Sequence, residues 1–246
     1  MALLQLEGIS KRFGRVVVAD GVSFQLEQGA SLGVIGPNGA GKSSMFGLIS
    51  GDIKPDAGSL HFGEHNLHGV TASGRCRMGI GRTYQIPQPF EHLNVFENAL
   101  LAAQQGARTR GSESYDVAYD ALQRTGLDEL ANRPAGSLAL LHRKRLELAR
   151  ALATRPRLLL LDEIAGGLTD PEVHELTDVI KQLQSDGIAI IWIEHVVRAL
   201  LSTVSRLLCL ANGTVIADGD PHEVLASEAV RAVYLGGRII NEAPLG

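Results

Sequence analysis

A glycine-rich segment near the start of the chain limits what the chain can fold into. Gly36-Pro-Asn-Gly-Ala-Gly-Lys-Ser-Ser44 follows a short apolar run, Ser31 to Ile35, and precedes Met45-Phe-Gly-Leu-Ile49, which ends at Gly51. A strand, a glycine loop ending in lysine and serine, and a helix, in this order, are typical of a phosphate-binding loop. A glycine-rich turn that only happens to precede a lysine is disfavoured by this context. The segment therefore predicts a nucleoside triphosphate site.

The residue types of this loop suit the chemistry of phosphate binding. Gly36, Gly39 and Gly41 let the backbone form a concave nest whose N–H groups converge on an anion. A helix beginning near Lys42 adds its free N–H groups and the positive end of its dipole. Lys42 can reach the β- and γ-phosphates, and the Ser43 hydroxyl can ligate Mg²⁺. The predicted nucleotide-binding residues of the loop are Gly36, Pro37, Asn38, Gly39, Ala40, Gly41, Lys42, Ser43 and Ser44.

Length and composition narrow the class of protein. With 246 residues, 45% of them hydrophobic, the chain fits one large α/β domain or one domain with an inserted lobe. A net charge of −4 argues against a general nucleic-acid binder. Cys76 and Cys209 cannot build a disulfide framework, which favours a reducing compartment. We see no signal peptide and no run near the ~20 apolar residues that span a bilayer, so work at a membrane would need another chain.

The first part of the chain is rich in strand signals. We expect strands at residues 3–9, 16–18, 22–26, 31–35 and 59–62. Several short strands before the first long helix predict an antiparallel β subdomain beside the nucleotide core.

The pattern changes to helical periodicity after residue 85. Asn94 and Glu97 form a predicted capping box, and further helices are expected at 115–125 and 141–153. We therefore predict one α/β domain over 1–246, divided into three parts. These are a β subdomain with the first part of the core (1–85), an inserted helical lobe (86–153), and the second part of the core with C-terminal helices (154–246).

The core resumes with two strands that end in polar residues. Four leucines lead into Asp162 and Glu163, and the strand at 188–193 is followed by Glu194 and His195. Asp162 would lie beside the phosphate loop and hold the hydration shell of Mg²⁺, and Glu163 would polarise an attacking water as general base. His195 would contact the γ-phosphate, although a lone histidine is as often structural.

Helix-capping residues and a turn dipeptide predict the remaining elements. Asp170 and Pro171 predict the N-cap and first residue of a helix that runs to about residue 184. Asn212-Gly213 predicts a hairpin, and Asp220 predicts the cap of another helix.

The ordered set of motifs resembles the ATP-binding subunits of ABC transporters. The phosphate loop is followed by Gln85, then Leu146-Glu-Leu-Ala-Arg-Ala-Leu152, then Asp162-Glu163, and then Glu194-His195. Within that family the chain looks most like the ATPases of importers of branched-chain (hydrophobic) amino acids. This narrower resemblance is carried by Arg82-Thr-Tyr-Gln85, Arg145-Leu-Glu-Leu-Ala-Arg150 and Val233-Tyr-Leu-Gly-Gly237.

The resemblance implies a role for several side chains. Phe13 would stack on adenine, and Glu163, Gln85 and His195 would be catalytic. Ser43, Gln85 and Asp162 would hold Mg²⁺, so the implied cofactors are ATP and Mg²⁺.

The resemblance also implies partners and a location. Two ATPase domains would sandwich two ATP molecules and drive two transmembrane permease subunits, with an extracytoplasmic solute-binding protein acting through the permease. The chain would lie peripherally on the cytoplasmic face of the inner (plasma) membrane, and no nucleic acid would be bound.

One region departs from the family. Leu138-Ala-Leu-Leu-His142 stands where Leu-Ser-Gly-Gly-Gln is usual. Ala139 lacks the serine hydroxyl that would contact the partner's γ-phosphate, and Leu140 and Leu141 would add side chains where glycines allow close approach. His142 would partly restore a donor. We therefore expect an asymmetric pair, a heterodimer with one weak site; the alternative is that both sites work.

Three other functions remain open at this stage. A soluble P-loop enzyme such as a nucleotide kinase would leave the helical lobe, Gln85 and His195 without a role. An ABC ATPase of DNA repair or translation would usually carry tandem cassettes or long coils. An ABC ATPase that serves another transported substrate shares most of the motifs.

Overall fold

The computed structural model describes residues 2–235. Gly236 and Gly237, the last residues of the family-like ending, lie outside the described residues. The strands are β1 Ala2–Phe13, β2 Val16–Glu27, β3 Ser31–Ile35, β4 Ala57–Phe62, β5 His65–Asn66, β6 Ile80–Arg82, β7 Leu158–Asp162, β8 Ala189–Ile193, β9 Arg206–Ala211 and β10 Thr214–Gly219. The α-helices are α1 Lys42–Ser50, α2 Ala72–Arg77, α3 Val95–Gln105, α4 Ser112–Arg124, α5 Leu140–Leu152, α6 Asp170–Ser185, α7 Val197–Leu201, α8 Pro221–Ala226 and α9 Glu228–Leu235.

The predicted antiparallel subdomain is confirmed as a four-stranded sheet with the order β2-β1-β4-β5. The separate strands predicted at 16–18 and 22–26 were wrong, because β2 is one continuous strand. Its pairing with β1 runs from Phe13↔Val16 to Ala2↔Glu27 and absorbs several register shifts. Such bulges let the ladder continue through Asp20-Gly21, which sequence rules assign to a turn.

The second sheet has six strands in the order β10-β9-β3-β8-β7-β6. The β9–β10 hairpin around Asn212-Gly213 is antiparallel, as predicted, and the other pairs are parallel. Every residue of β3, β7 and β8 is buried, as expected for parallel strands covered on both faces. The sequence analysis missed β6, a three-residue edge strand containing glycine and arginine, and the short helix α2 before it.

Parallel pairing brings the carboxyl ends of β3, β8 and β7 to one edge of the six-stranded sheet. The residues that follow these strands are Gly36, Glu194 and Glu163 respectively. Ligands of open α/β sheets bind at this edge.

The region between β6 and β7 contains α3, α4 and α5, which confirms the inserted helical part of the predicted fold. The three helices pack around a cluster that includes Ala99, Ala118 and Leu146, all 0% exposed. The small alanine side chains in this cluster leave room for the helices to lie close together. One isolated bridge joins Asn94 to Pro134 there.

Two predicted helix starts had different outcomes. Asp220 caps α8, since its side chain accepts hydrogen bonds from the backbone N–H groups of His222 and Glu223. The N-cap of α6 is Thr169 and not Asp170, which is already helical. The Glu172 carboxylate accepts hydrogen bonds from the Thr169 N–H and hydroxyl, both at 2.8 Å, and stabilises this earlier start.

The capping box of α3 gives a test of the helical lobe. The Asn94 side chain accepts from the Glu97 N–H at 2.7 Å, and the Glu97 carboxylate accepts from the Asn94 N–H at 2.8 Å. We expect Asn94→Ala to lower the free energy of unfolding by about 1 kcal/mol, measured by urea denaturation. Asn94→Asp, which keeps the acceptor, is the control. An equal loss in both variants would contradict a capping role.

Candidate active site

The loop between β3 and α1 has the backbone conformation that the glycine pattern predicts. Gly36, Gly39 and Gly41 have φ angles of 153°, 79° and 102°. A Cβ on Gly36 would lie 2.1 Å from the carbonyl oxygen of Leu210, and one on Gly41 would lie 2.1 Å from that of Val18. Glycine is therefore required at both positions because neighbouring backbone passes too close for a side chain.

Lys42 lies across this loop. Its ammonium group donates hydrogen bonds to the carbonyl oxygens of Gly36 at 2.7 Å and Pro37 at 3.1 Å. Burial lowers the pKa of Lys42, and the nearby carboxylates of Glu163 and Asp162 oppose this shift. The first helical residue thus brings a positive charge to the loop and to the ends of the neighbouring strands.

Asp162 is buried at the end of β7, close to the loop. The Ser43 hydroxyl donates to Asp162 Oδ1 at 3.5 Å, and Arg82 contacts Asp162 Oδ2 at 3.3 Å. Burial raises the pKa of Asp162, and the guanidinium of Arg82 opposes that rise. A hydroxyl and a carboxylate oxygen side by side are hard donors that fit Mg²⁺.

Glu163 is the centre of a hydrogen-bonded group that we call the Gln85–Glu163–His195 cluster. Gln85 Nε2 donates to Glu163 Oε2 at 2.6 Å, and His195 Nε2 lies 2.8 Å from Glu163 Oε1. Each carboxylate oxygen therefore has one side-chain partner and a free lone pair that can accept a proton from water. Glu163 itself has φ +47°, a left-handed conformation that is costly for a non-glycine residue.

The side chain of Gln85 has a different hydrogen-bond partner from those of the other two predicted metal ligands. Ser43 and Asp162 contact each other, whereas the side-chain nitrogen of Gln85 is bonded to Glu163. Gln85 is thereby placed with the predicted catalytic residues. Its role as a metal ligand stays a prediction.

Phe13 lies at the end of β1 and is 51% exposed, with the Lys11 ammonium 5.2 Å from its ring centre. Val16, its partner in the β1–β2 hairpin, is also exposed. Strand β2 then passes the phosphate loop at Val18, whose carbonyl oxygen lies close to Gly41. An exposed apolar pair therefore lies at the turn of the hairpin whose second strand passes the loop.

The segment from Leu138 to His142 forms the start of α5. Ala139 is the N-cap and provides no side-chain cap. The expectation that Leu140 and Leu141 both project outward was wrong for Leu141. That side chain is 7% exposed and packs in the core with α6 and β7, because the helix turns it inward; Leu140 is 43% exposed.

Two contacts of the site were missed by the sequence analysis. Arg82 bridges Asp162 and Asp52. Lys144 donates to the carbonyl oxygens of Gln85 and Glu163. No spacing or motif signals either contact, since each joins segments that are distant along the chain.

A phosphate loop, a buried aspartate and a carboxylate bonded to glutamine and histidine, all at one edge of a parallel sheet, define a nucleotide-binding P-loop protein. Two family models then identify the family. Residues 19–166, more than half of the chain, match the model described as "ABC transporter". Residues 214–239 match "Branched-chain amino acid ATP-binding cassette transporter". The chain belongs to the ABC transporter family, as an ATP-binding subunit with ATPase activity.

Curated relatives agree with this assignment. The "High-affinity branched-chain amino acid transport ATP-binding protein LivG" of Salmonella typhimurium is 35% identical, over 95% of this chain and 98% of LivG. The corresponding protein BraF of Pseudomonas aeruginosa is 32% identical over the same shares. The "Lipopolysaccharide export system ATP-binding protein LptB" of Acidithiobacillus ferridurans is 34% identical, over 95% of this chain and 97% of LptB.

Solved structures show the same fold. A nucleotide-free ATP-binding cassette from an ABC transporter has a TM-score of 0.86 and 29% identity, covering 98% of this chain and all of that chain. The ADP conformation of another cassette has a TM-score of 0.86 and 30% identity, covering 96% and 99%. Within residues 2–235, no helix is both long and apolar enough to cross a membrane.

The glycines of the phosphate loop give a matched pair of variants. We expect Gly41→Ala to weaken ATP binding at least tenfold, since the new Cβ would push the loop away from Val18. Gly39→Ala has a similar φ but nothing within 4 Å of its Cβ, so it should carry only the ~1 kcal/mol backbone cost. Fluorescent nucleotide titration measures the affinities, and equal weakening in both variants would contradict the close-approach argument.

Proposed function

We propose that this chain is the ATPase subunit of an importer for branched-chain or other hydrophobic amino acids. The observation that carries the proposal is the match of residues 214–239 to the branched-chain amino acid cassette family. The likeness to LivG and BraF along nearly the whole chain supports it. The subunit would hydrolyse ATP and use dimer closure to drive its membrane partners.

In this proposal the loop from Gly36 to Ser44 holds the triphosphate and Phe13 stacks on adenine. Ser43 and Asp162 hold Mg²⁺, with Gln85 as a further ligand when its side chain leaves Glu163. Mg²⁺ held there would neutralise negative charge that develops on the phosphates during hydrolysis. The exposed ring of Phe13, on the hairpin whose second strand contacts the loop, supports the adenine contact.

Hydrolysis would depend on the Gln85–Glu163–His195 cluster. Glu163 would accept a proton from the water that attacks the γ-phosphorus, and His195 would contact the γ-phosphate. Gln85 would orient the water and connect the site to the membrane subunits. The two short contacts of Glu163, 2.6 Å to Gln85 and 2.8 Å to His195, support this common task.

The partners would include two permease subunits that bind beside Gln85. Tyr84, Ile86 and Phe90 are 48%, 71% and 48% exposed, an unusual run of accessible apolar side chains. Such a surface suits a helix of a membrane protein. The chain would then lie peripherally on the cytoplasmic face of the membrane, and an extracytoplasmic solute-binding protein would act through the permease.

The second ATPase subunit would be a different chain. At the start of α5, Ala139 has no hydroxyl for a partner's γ-phosphate, and the first helical residue, Leu140, carries a large exposed side chain where the family has glycine. The site formed with this segment would hydrolyse ATP poorly. The site formed by this chain's own loop, Asp162 and Glu163 would be the active one.

A second substrate class has one observation in its favour, the 34% identity to LptB over 95% of the chain. Amino acid import and lipopolysaccharide transport are distinguished by measuring which substrate stimulates the ATPase activity of the reconstituted transporter. Stimulation by leucine or isoleucine together with the solute-binding protein supports amino acid import. Stimulation by lipopolysaccharide alone would overturn it.

Glu163→Gln tests the partner assignment. This variant should bind MgATP without hydrolysing it, because the amide cannot accept the proton. We expect it to sediment as a monomer with and without MgATP, since its own α5 segment cannot close a sandwich. A MgATP-dependent homodimer would show that residues 138–142 suffice and would overturn the heterodimer.

Separate variants of the two subunits test the asymmetry. In the complete transporter, Glu163→Gln in this chain should remove at least about 90% of ATPase activity and transport. The corresponding change in the partner ATPase should have a much smaller effect. Equal losses would mean that both sites work.

A further inference from the structure

Two buried charged side chains contact the backbone of the Gln85–Glu163–His195 cluster. Lys144, in α5, is 4% exposed, and Glu194, which follows β8, is 2% exposed. Burying an isolated charge is costly because it loses its hydration, so a buried cation and a buried anion are retained only where other groups compensate them. Their partners therefore indicate what they do.

Lys144 joins the helical lobe to the ends of two strands. Its ammonium group donates to the carbonyl oxygen of Gln85 at 2.9 Å and to that of Glu163 at 3.4 Å. These are the two residues whose side chains hydrogen-bond each other. Lys144 therefore fixes both backbones from which the Gln85–Glu163 contact is made, and it lies in the helix that begins with residues 138–142.

Glu194 joins the two loops that follow β7 and β8. Its Oε1 accepts a hydrogen bond from the Ala165 N–H at 2.6 Å, and its Oε2 accepts one from the His195 N–H at 3.2 Å. Ala165 lies two residues after Glu163. The carboxylate thus sets the spacing between the backbone of Glu163 and that of His195.

Neighbouring groups offset part of the burial cost of each charge. Burial lowers the pKa of Lys144, while the carboxylates of Glu194 and Glu163 raise it. Burial raises the pKa of Glu194, and backbone N–H groups led by that of Ala165 oppose this rise. Attraction across the site and charge-assisted hydrogen bonds to backbone groups thus offset part of the desolvation cost.

The left-handed backbone of Glu163 makes such support necessary. A conformation of this kind is unfavourable for a residue with a Cβ and persists only where the surroundings hold it. The Glu163 N–H donates to the Ile193 carbonyl at 2.9 Å, and the Glu163 carbonyl accepts from Lys144. The N–H of Glu163 is therefore held by the neighbouring strand, and its carbonyl group is held by the helical lobe.

We propose that Lys144 and Glu194 are positioning residues that hold Gln85, Glu163 and His195 in the geometry for ATP hydrolysis. Lys144 holds the backbone carbonyl groups of Gln85 and Glu163. Glu194 holds the backbone N–H groups of Ala165 and His195. The inference rests on the proposed catalytic role of Glu163. It adds that Lys144 joins α5 directly to the backbones of Gln85 and Glu163.

Steady-state ATPase kinetics of the complete transporter test this inference. Lys144→Met should lower kcat by about 10- to 100-fold, because small misplacements of catalytic groups have effects of this size. KM for MgATP should stay within about twofold, since the phosphate loop is untouched. Lys144→Arg, which keeps a buried cation with donors, should recover most of the kcat.

Arg75→Met is the matched control. Arg75 is also 4% exposed and donates to backbone carbonyls, those of Leu48, Ile49, Leu67 and Val70, none of which belongs to the cluster. It should lower the melting temperature and leave kcat within about twofold. An equal loss of kcat in Arg75→Met and Lys144→Met, or an unchanged kcat in Lys144→Met, would overturn the inference.

Glu194 variants give an independent measurement, also usable if Lys144→Met fails to fold. Glu194→Asp keeps the charge but shortens the side chain, and it should lower kcat at least about fivefold with KM unchanged. Where Lys144→Met folds, combining it with Glu194→Asp should give non-additive losses of kcat, because both residues act on one cluster. An unchanged kcat in Glu194→Asp would contradict the proposal. If wild-type transporter hydrolyses no ATP, the proposed function fails first, and this inference with it.

Discussion

The parallel pairing of β3, β8 and β7 is the constraint on which the rest of the site depends. It brings three strand ends to one edge, so that Lys42, Asp162 and His195 come together although they are far apart in sequence. Because these strands are buried on both faces, they cannot shift without opening the core. The phosphate loop and the cluster around Glu163 are thus held by the same packed layer.

At this edge of the sheet, Glu163 is held by hydrogen bonds from both its side chain and its backbone. Glu163 has its side chain bonded to Gln85 and His195 and its backbone bonded to Ile193 and Lys144. Such contacts are individually worth about 1 kcal/mol, more when charged, and can be exchanged during a catalytic cycle. The arrangement suits the opening and closing against a second subunit that we propose for this site.

The segment at the start of α5 has both a buried side chain that packs in the core and exposed side chains that differ from the usual family sequence. Leu141 belongs to the core and preserves the packing of α5 on α6 and β7, whereas Ala139 and Leu140 face outward. The departures at Ala139 and Leu140 therefore change the exposed surface, which in our proposal meets a partner's nucleotide, whereas Leu141 is accommodated in the core. Lys144, one turn further on, connects this altered surface to Glu163.

The sequence by itself determined the phosphate loop, the buried strands and the helix caps at Asn94 and Asp220, because local spacing and turn chemistry are enough to specify them. It also brought Gln85, Asp162, Glu163 and His195 forward as candidates. Only the tertiary structure decided that β2 is continuous, that β6 pairs with β7 and that Leu141 turns inward. It likewise decided that Lys144 and Glu194 reach the cluster, since these contacts join segments up to about 60 residues apart and depend on packing that no local pattern encodes.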